Sequence, residues 1–187
     1  MPPVAQMRAS HMQSNIDMLA ELDAKDRDAI YARCGADIER VSHALPITWL
    51  PLASNTDLID CVYEVVGDEG ACAWVHASMR CSMERTLLRP IVDGLRRIGL
   101  GPHHGLKRCE AAWHIMYKDA GTLTCELAET GRATLKLHDA PTEMMRGSYL
   151  SALLDAFEGV AVELGGRQVS KKMTPSATGA LFEFTWR

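Results

Sequence analysis

Apolar positions recur at three- and four-residue steps over most of the first two thirds of the chain, and at two-residue steps in much of the last third. The first spacing lines up apolar side chains on one face of a helix, and the second on one face of a strand. Ile16, Leu19, Ala20 and Leu22, then Ile30, Tyr31, Cys34 and Ile38, predict two short helices between Asn15 and Ala44. "LPITWLPLASNTD", Leu45 to Asp57, interrupts them with prolines that remove backbone donors and bias their neighbours toward extended geometry. This segment reads as a loop carrying Trp49 as an apolar plug.

Ser54, Asn55 and Asp57 offer caps to a helix through Leu58, Cys61, Val62, Val65 and Val66, with Gly67 as its stop. Cys72, Val75, Met79 and Met83 then fall on one side of a further helix, and Pro90 suits the first turn of the next, which ends near Gly99. Leu106, Cys109, Trp113, Met116 and Tyr117 form another helical stripe. After Gly121 the period changes. Leu123, Cys125 and Leu127, then Ala133, Leu135 and Leu137, alternate with polar residues on either side of "AETG", which predicts an antiparallel hairpin. A helix from about Thr142 to Val160 follows, and two strands close the chain, one near Arg167 to Met173 and one with Phe182, Phe184 and Trp186 on its inner face.

This order predicts an α+β fold: an N-terminal helical layer packed on a four-stranded antiparallel sheet made of two hairpins separated by a helix. The absence of β-α-β alternation disfavours a doubly wound parallel sheet. Residues 1–14 show no period and read as a mobile N-terminal arm. Residues 15–187 read as a single domain, helical over 15–118 and hairpin-helix-hairpin over 121–187.

Composition narrows the function classes. A chain of 187 residues with 47% hydrophobic and 24% charged residues suits one soluble domain. A net charge of -4 and no basic run longer than a pair give nucleic-acid binding no electrostatic footprint. No apolar run is long enough to span a bilayer and the N-terminus lacks a secretory core, so the expectation is a cytoplasmic protein without membrane insertion. The six cysteines lack a C-x-x-C pair and read as buried thiols.

The densest candidate chemistry is "GPHHGLKRCEAAWH", Gly101 to His114. His103, His104 and His114 are the residues that could hold a haem or a transition metal. The spacing works against a local metal site, because His104 and His114 each lie five residues from Cys109, about 140° around a helix. A metal would need partners from elsewhere, such as His76 or His138. The simpler reading is a glycine-proline turn and a helix start. "RGSYL", Arg146 to Leu150, lacks the strand-turn-helix context of a serine nucleophile. Cys81 with His76 is the best thiol and acid/base pair, again five residues apart, so the residues lean away from an enzyme. Trp113, Tyr117, Trp74, Met79 and Cys109 are the candidates to line an apolar pocket between the helices and the sheet, with a plain core as the alternative.

"WLP" (Trp49 to Pro51), "LLRPIVDGLRRIGLGPHHGLKRCEAAWHIMYKDAGTL" and the terminal "FEFTW" resemble a myxobacterial family of paralogues of unknown function. That family is distantly similar to four-vinyl-reductase-type and haem-NO-binding-like ligand domains. The resemblance covers roughly Leu45 to Trp186. It implies a sensory or regulatory ligand-binding module in signal transduction, helices on an antiparallel sheet, and a homodimer. The chain departs from these relatives in two ways: Gly166 to Arg187 holds no cysteine, and the tyrosine-serine-arginine signature of haem-NO-binding domains is missing. The expectation is therefore a non-enzymatic module for a small apolar ligand or a protein partner, without a predicted cofactor. Its alternatives are a haem- or metal-based sensor using the histidines of 103–114 and an enzyme with an unrecognised site.

Overall fold

The computed structural model describes residues 4–85, 88–97 and 99–187. Near the start of the chain, β1 (Gln6–Arg8) is the middle strand of a three-stranded antiparallel sheet between β2 (Trp49–Pro51) and β3 (Tyr117–Lys118). Met7 lies opposite both Leu50 and Tyr117 and is buried. Two expectations are corrected here. Residues 4–14 are not a mobile arm, since Ala5, Met7, Ala9 and Met12 are all core residues, while residues 1–3 lie outside the described part. The segment 45–57 is not a continuous loop either, because it contains β2 and the start of a helix. Strands of two or three residues carry too few positions to show a period, and their partners come from distant parts of the chain. Trp49 is half-buried rather than a plug, with the Arg8 guanidinium 3.8 Å above its ring.

The helices are α1 (Ala9–Asp17), α2 (Ala24–Ser42), α3 (Leu52–Arg85), α4 (Arg89–Arg97), α5 (Pro102–Met116) and α6 (Gly147–Glu163). Gly67 breaks α3 with φ 74° and ψ 177°, so the expected stop is a kink between two helical halves. The expected cap at Ser54, Asn55 or Asp57 is displaced: α3 begins at Leu52, and Ser54 and Asn55 are buried inside it. They are buried because they meet polar partners. Asn15 Nδ2 donates to Asn55 Oδ1 at 2.8 Å, and Trp74 Nε1 donates to the Asn15 carbonyl at 3.2 Å, which ties α1 to α3.

The last third folds as the alternation predicts. β4 (Thr122–Glu129), β5 (Arg132–His138), β6 (Ser170–Ser176) and β7 (Gly179–Thr185) form an antiparallel sheet in the order β4-β5-β7-β6, and α6 lies between the two hairpins in sequence. One detail differs. Cys125 faces Leu135 but Leu127 faces Thr134, so Glu126 is an extra, bulged residue. From there Ala128, opposite Ala133, takes the inner face that strict alternation assigns to Leu127.

The inner face of the sheet carries Leu123, Leu135, Leu137, Phe182 and Phe184, all buried. Phe157 of α6 meets Phe182 and Phe184 edge-on, at centroid distances of 5.3 and 6.4 Å. One continuous hydrophobic cluster joins this sheet, the helices and the small sheet. No helix among the described residues is long and apolar enough to cross a membrane.

Candidate functional site

Between the second half of α3, α4, α5 and α6 the core is incompletely filled. The cleft encloses about 700 Å³ of space between atoms, counting its open mouth. Met79 and Met83 form one wall, Val92 the α4 edge, Cys109, Ala112, Trp113 and Met116 the α5 wall, and Leu153, Ala156, Phe157 and Val160 the α6 wall. The helical periods put these residues there: on α5, positions 105, 109, 112, 113 and 116 share one face. Trp113 is held by its Nε1 donating to the Gly121 carbonyl at 3.2 Å, and its ring stacks on Tyr117 at 4.1 Å.

A second, smaller space of about 370 Å³ adjoins the first, sharing His11, Met79, Tyr117, Leu153 and Ala156. It is more polar. Asn15, Asn55, Trp74, Ser78 and Tyr149 line it, and Ser78 Oγ is buried without a hydrogen-bond partner among the described residues. Tyr117 and Tyr149 share a hydrogen bond at 3.0 Å, and burial raises the Tyr117 hydroxyl pKa to about 12. His11 stands where the two spaces meet. Its Nδ1 is 2.5 Å from Ser82 Oγ, and burial lowers its pKa to about 4, so the ring is neutral at ordinary pH.

Of the residues expected to line a pocket, Met79, Cys109, Trp113 and Tyr117 border the larger space and Trp74 the smaller. Cys109 is a thiol, its pKa pushed up to about 12 by burial, with Sγ 3.6 Å from the Gly105 carbonyl. The expected haem or metal histidines lie elsewhere. His103 and His104 sit on the first turn of α5 with their rings 3.8 Å apart, His104 bordering an outer groove with Leu100, Lys107 and Glu110. His104 Nδ1 is buried there without a hydrogen-bond partner among the described residues, and His114 is exposed. None of the three borders the apolar cleft.

Cys81 is buried, and His76 points away from it toward Cys72 and Glu158. Ser148 Oγ donates to Asp60, and Arg146 bridges Asp57 and Asp60 at 2.6 Å each, which makes "RGSYL" the anchored start of α6. Sequence reasoning missed His11, because it falls in the segment read as an arm.

No family model matches the chain, and no curated protein does. Solved structures match over nearly its whole length. An oxygen-binding H-NOX domain related to soluble guanylate cyclases, in its oxygen complex, superposes with a TM-score of 0.63 at 10% identity, covering 97% of this chain and 95% of that one. The fold is that of an H-NOX domain. The H-NOX protein from K. algicida, as an Fe(II) unliganded point variant, gives 0.63 at 12% identity, with 97% of both chains covered. A further structure, from work on haem redox potential and porphyrin distortion, gives 0.64 at 11% identity over 97% and 95%.

The H-NOX fold raises haem as a group to test against these residues. A haem in the apolar cleft needs an axial side chain in the cleft wall. The α5 wall offers Cys109, a protonated thiol, and no histidine; the histidine that borders the cleft is His11, on α1. The histidines of the 103–114 segment therefore do not reach a haem placed in this cleft.

Proposed function

We propose that this chain is a sensory module whose cleft between α3, α5 and α6 binds a small apolar ligand. The carrying observation is the cleft itself, a partly open apolar gap between the core helices, walled by methionine, aromatic and aliphatic side chains. The guest's apolar body would lie against Met79, Met83, Trp113 and Phe157. Its polar end would meet His11 and Ser78, whose buried and unpartnered Oγ lacks only an acceptor or donor. The H-NOX fold supports a sensory role.

Titration with a medium-chain alkanol, read by tryptophan fluorescence and native mass spectrometry, tests this reading. The wild-type chain should bind one molecule. Ala156→Phe, which fills the space where both cavities meet, should weaken binding by about tenfold or more while the near-ultraviolet circular dichroism stays native. Unchanged binding in that folded variant defeats the proposal.

His11 favours a second reading, because a neutral buried imidazole in a cleft wall is also an axial haem ligand. A haemin titration that gives one equivalent of Soret absorbance, lost in His11→Gln, would replace the apolar-ligand reading with that of a haem sensor.

A further inference from the structure

Cys72 and His76 lie four residues apart on one face of α3, and α6 sets Glu158 against them. Their ligand atoms all lie within 4.8 Å of one another. Cys72 Sγ is 3.9 Å from His76 Nε2, and His76 Nε2 is 3.1 Å from Glu158 Oε2. A tetrahedral zinc ion, with Zn–S of about 2.3 Å and Zn–N and Zn–O of about 2.05 Å, spaces its sulfur and nitrogen ligands about 3.6 Å apart and its nitrogen and oxygen ligands about 3.3 Å apart. Both observed spacings lie within a few tenths of an ångström of that geometry.

A cation from the protein already reaches into this group. Lys171 Nζ, from β6, is 3.7 Å from Cys72 Sγ and 2.5 Å from both Glu158 Oε2 and Asp155 Oδ1. Tyr63 steadies the second carboxylate, its hydroxyl donating to Asp155 Oδ2 at 3.0 Å. The Lys171 side chain is 25% exposed, and its four-carbon stem lets the ammonium turn out to water without moving β6.

We infer that Cys72, His76 and Glu158 form a zinc-class metal site, with Asp155 Oδ1 in reach of the fourth position, and that Lys171 fills the site until the ion displaces it. The donor set is a thiolate, an imidazole and carboxylates, which suits zinc and not the all-oxygen preferences of magnesium or calcium. Binding is balanced by two departures: the Cys72 thiol gives up its proton to solvent, and the Lys171 ammonium leaves the carboxylates. The site also bears on the cleft. Met79 follows His76 by three residues on α3 and Phe157 precedes Glu158 on α6, so a metal bridging the two helices fixes two cleft walls relative to each other.

The test is a cobalt(II) titration of the reduced full-length chain, reading the sulfur-to-cobalt charge-transfer absorbance. The band should saturate at one equivalent, disappear on adding zinc, vanish in Cys72→Ser and survive in Cys109→Ser. Lys171→Met, which removes the internal competitor, should tighten apparent affinity by about tenfold or more; Lys171→Gln replaces it if circular dichroism shows that variant unfolded. No charge-transfer band at one equivalent, or one that survives Cys72→Ser, overturns the site. Equal affinity in the wild type and the folded lysine variant overturns the displacement.

Discussion

Acid should destabilise this protein through His11. The ring is buried at the junction of the two cavities, with Nδ1 against Ser82 Oγ, and burial holds its pKa at about 4 against the ordinary 6.5. The unfolded chain takes up a proton on this ring near pH 6.5, whereas the folded chain does so only near pH 4. Between those limits the unfolded state binds more protons, so the stability is whole above pH 6.5 and is lost as the pH falls toward 4. At about 1.4 kcal/mol per pH unit across that gap, the loss is about 2 kcal/mol by pH 5 and about 3 kcal/mol by pH 4. Urea unfolding of the wild type and His11→Gln, each followed from neutral pH down to about pH 4, isolates the effect, because the carboxylates that also titrate there are common to both chains. Glutamine can keep a bond to Ser82 Oγ but takes no proton. The difference in unfolding free energy should shift in favour of the variant by about 2 to 3 kcal/mol across the window. Parallel curves would refute the reasoning, since they would mean that the ring is solvated or already protonated in the folded state.

The small sheet and the link that leads from it into the large one give two further tests. Removing residues 1–8 deletes the middle strand β1 and the buried Met7, and should lower the urea midpoint by the equivalent of at least about 2 kcal/mol; an unchanged midpoint would return this segment to the status of an arm. Gly121 has φ +74°, and a Cβ there would lie 2.3 Å from the His138 carbonyl oxygen, a backbone atom that cannot turn aside. Gly121→Ala should therefore cost about 2 to 4 kcal/mol, read as a fall in Tm of roughly 5 °C or more, and a Tm within a degree of wild type would show that the turn is more pliable than it looks.

What the sequence made legible followed from period. Residues such as Phe182, Phe184 and Trp186 repeat every second position, and Leu106, Cys109 and Trp113 every three or four, and each set faces the core. The two-hairpin sheet and the helix between them were readable for that reason. β1, β2 and β3 were not, because two or three residues make no period and their pairing joins the chain near residues 7, 50 and 117. His11 was lost with them. The error in β4 has the same root: alternation assumes one residue per rung, and the bulge at Glu126 breaks that count without any glycine to announce it.

The histidines of 103–114 show how period can decide a site against composition. A helix that buries Cys109 and Trp113 presents positions 105, 109, 112, 113 and 116 to the cleft, and the 100° step then turns His103, His104 and His114 away from it. The same arithmetic, applied to α3, places Cys72 and His76 side by side. The first cluster is dense in sequence and dispersed in space; the second is sparse in sequence and convergent, and its last ligand, Glu158, arrives from another helix. Spacing of three or four residues, rather than the count of ligating types in a window, is therefore the signal that carried information about where a group could be held in this chain. It also connects the two proposals physically: Met79 and Phe157 of the cleft walls lie close along their helices to His76 and Glu158, and Ala156 follows Asp155 directly, so variants of Cys72 and Ala156 are each to be read in both titrations.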